Sequence, residues 1–497
     1  MQLYPRHPIA ICLVFGALCG CVANQAYRDQ DSRPWHDKLQ EPFVRGHQLA
    51  EYEPFEHDDP SHHFDLSYIE FDEKGDYWDR RQLGWTAEAI RRASLSEDIV
   101  LIVYVHGWQN DASTLPGHDV GKFHCLLEHL AEADNGQHRI FGVYISWRGK
   151  SVFGGDGWFK DNSIPDLLSK AIFFVPHELS FYSRKGAATR VAGMPVTEAI
   201  FQSVAAARKG ALDHGRQSKT ILIGHSFGAL LLEKAMAQAL AAKMISESNT
   251  KSGFTAPADF MVLLNSAAES IYAKEMIDMM RRRMPAGTAR REGNEIDAKH
   301  PLIVSITSEA DWATGLLFPV GTQLSNTAGT FREYEWDTRY GDSSHNVSQR
   351  EYFTQTPGHN GRLISYEAKP VVGPPQLPTY QDTETCSPEM LDALRRNLTD
   401  SLGGPNGEIR FSTGSAGKET EWQLVPRIPD NLQTAYWIVH VPKEIMRDHS
   451  DIFNENALAL MARLFRVSNP IPTQRGITTS APRTMRLLDP AKNTESR

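Results

Sequence analysis

The chain has 497 residues, 41% apolar and 23% charged, which excludes disorder throughout and suffices for one large domain with insertions or two ordinary ones. Its formal net charge is −9, and no Lys/Arg stripe interleaved with aromatics offsets it, so the summed field opposes phosphate backbones and argues against nucleic acid as a partner. No P-loop, dinucleotide fingerprint or structural zinc pattern occurs.

At the N-terminus, Arg6 and His7 precede an apolar run from Ile9 to Leu18. A bilayer span takes about 20 apolar residues, so this run suits the apolar region of a signal peptide instead. It continues as Leu18, Cys19, Gly20 and Cys21, and this Leu-x-Gly-Cys pattern resembles the lipobox of bacterial lipoproteins. The resemblance implies that residues 1–20 are removed and that Cys21 becomes the acylated first residue, holding the protein at the membrane of the cell envelope. Val22 in place of an Asp points to the outer membrane, facing the periplasm. One acyl chain anchors only marginally, at about 0.8 kcal/mol per buried methylene, so the several chains of a mature lipoprotein are needed. A plain secretory signal with a coincidental cysteine is the alternative. After cleavage only Cys125 and Cys386 remain as thiols, and export would permit them to pair.

Residues 21–64 are polar, proline-punctuated and rich in His and acid, and they read as a flexible tether. Their HDDPSHH cluster lacks any spacing that would order metal ligands, so no metal is expected there. From Leu66 the chain alternates β-rich runs with helical patterns, which predicts an α/β fold: a mostly parallel central sheet with helices on both faces. LSYIEF (66–71) is the first strand and GWTAEAIRRA a helix. DIVLIVYVHGW (98–108) is a nearly continuous β-branched run, as expected of a strand covered on both faces in the middle of the sheet. GKFHCLLEHLAEA reads as a helix, HRIFGVYISWRG as a strand, and two helical segments lead to the strand KTILI. A helix over 228–243 and strands at 259–267 and 301–308 follow. Between about 312 and 433 Pro and Gly recur, and this stretch is expected to be an insertion before the last strand. AYWIVHVP (435–442) and NENALALMARLF close the domain at 466, and 467–497 reads as a flexible tail.

The chemistry concentrates at Gly224, His225, Ser226, Phe227 and Gly228, a G-x-S-x-G pattern. Alone the pattern is weak. Here it follows a strand and opens a helix, the setting in which a tight turn exposes a serine hydroxyl at a helix N-terminus that favours developing negative charge. Glycines are needed because side chains would clash in so tight a turn. The bland alternative is a helix-capping serine.

Strand order, elbow and flanks resemble the α/β-hydrolase superfamily of esterases and lipases over roughly residues 65–466. The resemblance implies an α/β-hydrolase fold and a serine hydrolase that cleaves a carboxylic ester, of a small molecule or a lipid, through an acyl-enzyme on Ser226. It implies no cofactor. In this superfamily the oxyanion donors are backbone N–H groups, here those of Phe227 and, on the HG loop, Trp108, with His106 and Gly107 shaping the turn. The order Ser, acid, His places the acid at Asp311, just beyond the strand 301–308, with Glu309 and Glu269 as rivals. It places the base at His449, on the loop after the last strand, with His359 and His440 as rivals. The same machinery could serve an acyltransferase or amidase, and a non-catalytic lipoprotein could keep the fold as a binding module. SWRG (146–149) resembles a recurrent segment of such hydrolases, although Arg148 could simply pair a carboxylate. The aromatic run AIFFVPHELSFY reads as packing rather than a lipid groove.

Overall fold

The computed structural model describes residues 26–28, 64–108, 110–112, 119–149, 184–247, 254–283, 289–291, 294–296, 299–325, 330–334, 347–372, 375, 377, 387–399, 408–414, 417–428 and 433–469. Cys21, Cys386, the HDDPSHH cluster, the aromatic run and the tail beyond 469 lie outside them.

Ten strands form one sheet. They are β1 (Phe64–Phe71), β2 (Ile99–Val105), β3 (Arg139–Trp147), β4 (Ser218–His225), β5 (Phe260–Leu264), β6 (Ile303–Ser308), β7 (Tyr366–Val372), β8 (Arg410–Thr413), β9 (Thr420–Pro426) and β10 (Tyr436–Val441). Their order is β1-β3-β2-β4-β5-β6-β10-β7-β9-β8. Every pairing from β1 to β7 is parallel, while β9 pairs antiparallel with both β7 and β8 at the far edge. The fold is thus α/β with a mostly parallel sheet, as the alternation of patterns predicts.

The helices α1 (Arg81–Ser96), α2 (Asp119–Asp134), α3 (Met194–Asp213), α4 (Phe227–Glu247), α5 (Ser270–Arg283), α6 (Pro388–Leu398) and α7 (Glu455–Ser468) cover the sheet. The period-2 geometry of strands divides the core between its two faces. Along β2, Leu101, Val103 and Val105 join the cluster under α1, α3 and α4, whereas Ile102 and Tyr104 join the one under α2 and α7. Both faces of β2 are therefore dry, which is why its sequence is apolar without alternation. In α1, Leu83, Thr86, Ile90 and Ser94 are buried at three- and four-residue spacing, the stripe that a helix lying on a sheet requires.

The stretch expected to be an insertion returns to the sheet. It supplies α6 and the strands β7, β8 and β9, which extend the edge beyond β10. Pro370 sits inside β7, where the register with β9 shifts, and Val371 and Val372 are exposed. β7 pairs with β10 only through Tyr366 and Glu367, so Pro370 lies beyond that ladder, and a proline in the run hides the strand from the sequence pattern.

Cys125, on α2, is disulfide-bonded. Near the N-terminus, residues 26–28 lie on the domain: the backbone N–H groups of Tyr27 and Arg28 donate to the Glu70 carboxylate at 2.9 and 2.8 Å, and Ala26 is buried.

Candidate active site

β4 ends at His225, α4 begins at Phe227, and the turn between them is a single residue. Ser226 has φ +55°, a left-handed conformation that non-glycine residues rarely adopt outside strained functional turns. Two contacts hold it there: its N–H donates to the Leu264 carbonyl at 2.9 Å, and its carbonyl accepts from Ala267 N–H at 3.2 Å. A Cβ on Gly224 would lie 2.7 Å from Ala229 Cα, and one on Gly228 would strike the carbonyls of Val105 and His106. The two glycines thus permit the close approach of strand, turn and helix that the elbow pattern implies.

Asp311 stands just past β6 and His449 on the loop between β10 and α7, so three strand ends converge on one point. His449 Nε2 lies 2.7 Å from Ser226 Oγ, and His449 Nδ1 lies 2.8 Å from Asp311 Oδ1. A carboxylate can only accept, so Nδ1 carries the proton and Nε2 is left as the base that receives the Ser226 O–H. All three are buried, Ser226 with no exposed surface.

The Asp311 carboxylate is further fixed by the N–H groups of Ala313 and Thr314, at 3.0 and 3.1 Å to Oδ1, and by the Thr314 hydroxyl on Oδ2. Burial alone would raise its pKa, but the facing His449 and the Thr314 hydroxyl outweigh burial and leave it lowered. Burial would likewise depress His449, but Asp311, with smaller contributions from Asp448 and Asp119, leaves the imidazole raised above its ordinary value.

The rivals are placed elsewhere. Glu269 is ion-paired with Lys185 at 2.8 Å, and Glu309 is exposed, accepting from Lys443 N–H at 3.3 Å. His440 lies within β10, half-buried. His359 sits behind the acid: its Nδ1 is 3.1 Å from Thr356 Oγ1 and 3.5 Å from Thr314 Oγ1, the hydroxyl that holds Asp311. The insertion therefore does deliver a histidine to the site, on the far side of the carboxylate from the serine.

The HG loop after β2 lies against the elbow. A Cβ on Gly107 would lie 2.6 Å from His225 Nδ1 and 2.9 Å from Ser226 Cβ, so only glycine lets the loop come so close. His106 shapes the turn as the sequence suggests: its Nδ1 bonds the Gly107 carbonyl at 2.8 Å, its Nε2 accepts from Trp147 N–H at 3.1 Å, and its ring stacks on the Trp147 indole. The donor role of Nδ1 toward a carbonyl fixes this tautomer. Trp108 follows, buried, while Phe227 opens α4 beside the nucleophile. Arg148 and Arg184 both reach the Glu73 carboxylate, at 3.5 and 3.2 Å, as the simpler reading of SWRG expected.

Sequence reasoning gave His225 only a supporting place in the motif and did not single out Asn265 or Asp119. The Asn265 amide nitrogen donates to the His449 carbonyl at 2.9 Å, and its oxygen accepts from Ser308 N–H at 3.0 Å. Asn265 has φ +44° at the end of β5, and an asparagine ending the run FMVLLN was the available signal. His225 Nε2 is 2.9 Å from the same carbonyl.

A cavity of about 1160 Å³ lies near the opposite, N-terminal ends of the strands, lined by Ile102, Ile140, Ile221, Val262, Leu458 and Phe465 among others. None of Ser226, Asp311 and His449 lines it.

No family model matches the chain, and no curated protein does. Among solved structures it is weakly similar to an uncharacterized protein from Pseudomonas aeruginosa, at 12% identity and a TM-score of 0.20, over 50% of this chain and 42% of that one.

Proposed function

We propose that this chain is a serine hydrolase of the α/β-hydrolase type that cleaves a carboxylic ester of a small molecule or lipid. The observation that carries the reading is the relay from Ser226 Oγ through His449 to Asp311, at 2.7 and 2.8 Å, with the serine on a left-handed turn at a helix N-terminus. A capping serine would need neither a base on its hydroxyl nor an acid behind that base.

In this reading His449 Nε2 takes the Ser226 proton as Oγ attacks the ester carbonyl carbon, and Asp311 stabilises the imidazolium that forms. The N–H groups of Trp108 and Phe227 receive the developing oxyanion. His449 then passes the proton to the departing alkoxide, leaving an acyl-enzyme and an alcohol. Water, deprotonated by the same nitrogen, attacks the acyl carbon, the bond to Oγ breaks as His449 returns that proton to the serine, and the carboxylic acid departs. We propose further that acylated Cys21 anchors the protein at the cell envelope, in the outer membrane facing the periplasm.

Labelling with a fluorophosphonate tests the chemistry, since such probes trap an activated serine. Wild type should be labelled at Ser226 and Ser226→Ala should not. A folded wild-type protein that resists the probe and all short and long acyl esters would end this reading.

A further inference from the structure

The residue preceding the nucleophile belongs to a second buried histidine–carboxylate pair. His225 is 2% exposed and Asp119, at the start of α2, 4%. His225 Nδ1 lies 3.7 Å from Asp119 Oδ2, beyond hydrogen-bonding range, and the same oxygen accepts from the Tyr104 hydroxyl at 2.5 Å. At the other end of the ring, Nε2 faces the His449 backbone carbonyl at 2.9 Å, and an acceptor there requires that Nε2 carry a proton. The ring also forms the floor under the HG loop, where a Cβ on Gly107 would meet Nδ1 at 2.6 Å. One imidazole therefore touches both loops of the machinery that lie outside β4: the loop bearing the base and the loop bearing the oxyanion donor.

We infer that His225, oriented by Asp119 and Tyr104, is a positioning residue that sets the catalytic histidine by binding its backbone carbonyl while supporting the oxyanion loop at Gly107. The inference rests on the serine-hydrolase reading above. His449 reaches the serine from a loop, and a loop fixes its side chain only as well as its own backbone is fixed. Two donors converge on the His449 carbonyl, His225 Nε2 from β4 and Asn265 Nδ2 from the end of β5, so the base is tied to the nucleophile's own strand and to the strand beside it. The acid Asp311 arrives from β6, and Asn265 also accepts from Ser308 at the end of that strand. Base, acid and nucleophile are thereby referred to three adjacent strands rather than to one loop. The electrostatics agree: burial would raise Asp119, but His225, Lys122 and the Tyr104 hydroxyl outweigh it and hold the carboxyl well below the usual range, so it remains an anion beside the ring.

Kinetics on a short-chain ester separate positioning from mere packing. His225→Leu removes the donor to the carbonyl and should lower kcat about 100-fold, the scale of a misplaced catalytic group, with KM nearly unchanged. His225→Gln keeps an N–H donor at a similar reach and should recover kcat to within about tenfold of wild type. Asp119→Asn keeps an acceptor for Tyr104 but drops the charge that orients the ring, and should lower kcat about tenfold at constant KM. Leu and wild type turning over alike, or Gln as slow as Leu with both at the wild-type Tm, would overturn the inference. If His225→Leu does not fold, the Asp119→Asn rate decides, and a wild-type kcat there overturns it. Fluorophosphonate labelling keeps the two claims apart. Wild type labelled at Ser226 while His225→Leu labels equally fast removes this inference alone, whereas unlabelled wild type removes the serine chemistry with it.

Discussion

Asp311 accepts four hydrogen bonds, from His449 Nδ1, two backbone N–H groups and the Thr314 hydroxyl, and such a carboxylate has no capacity left to act as a base itself. Its work is to fix one tautomer and to favour the charged imidazole. Hydrolysis needs His449 neutral, so kcat/KM should fall as pH drops through a pKa that lies above the ordinary histidine value. Asp311→Asn removes the anion that raises this pKa, so the acid limb should move to lower pH. The amide also offers an N–H where an acceptor is required, which stabilises the wrong tautomer, and kcat should fall by about four orders of magnitude. A kcat/KM profile of both proteins from about pH 4 to 9 checks direction and size together. An unshifted acid limb would mean that a different group controls it. His359 could be mistaken for the base in the sequence because the order of residues cannot say on which side of the acid an inserted histidine arrives.

At the scale of elements, the site depends on where strands stop. Ser226, Asp311 and His449 each follow a strand of the parallel sheet, and the C-terminal ends of parallel strands leave loops that a rigid scaffold can aim. The His449 loop is closed at its far end by α7, whose cap is Asn454: its side-chain oxygen accepts from Asn456 and Ala457 N–H at 2.8 and 2.9 Å. The same amide donates back to the carbonyls of Ile445 and Asp451 at 3.1 and 2.8 Å, so one side chain both starts the helix and ties the loop to itself. Asn454→Ala should cost about 1 kcal/mol of stability, read as a lower chemical-denaturation midpoint. It should also lower kcat, since the loop that holds the base loses two anchors. The parts of this frame visible in the sequence were those with strong local signals. The apolar run of β2, the serine turn of β4 and the runs of β5, β6 and β10 all belong to central strands, where burial on both faces leaves a pattern. β7 lies between β10 and β9 but pairs with β10 only through Tyr366 and Glu367 and is interrupted by Pro370, and the edge strand β8 is four residues long, so neither repeats a period long enough to see. The long-range ties of the site, Asn265 after β5 and Asp119 at the start of α2 above all, depend on which elements become neighbours, and nothing local in the chain encodes that.

For the whole molecule, the end of the sheet that carries the triad is also where the N-terminal segment comes to rest. Tyr27 and Arg28 bond Glu70 near the C-terminal end of β1, and Arg28 Nε reaches the Ala112 carbonyl at 3.0 Å, just past the HG loop. The Arg28 guanidinium also lies 4.3 Å over the Tyr68 ring. Cys21 stands five residues before the buried Ala26. At no more than about 3.6 Å per residue, that length spans about 18 Å at most, so a lipid anchor at Cys21 would hold the serine end of the sheet toward the bilayer. Such an arrangement would favour esters embedded in the membrane over those in solution. Cys21→Ala should move the protein from the membrane to the soluble fraction with its rate on a soluble short-chain ester intact. Inserting about 30 Gly/Ser residues between Cys21 and Ala26 would keep the anchor but add a flexible reach of roughly 30 Å, enough to free the orientation. That variant should stay in the membrane fraction, hydrolyse the soluble ester at the wild-type rate, and lose activity on a long-chain ester presented in vesicles. Equal rates on the vesicle substrate with and without the insertion would show that the short connection does not aim the site.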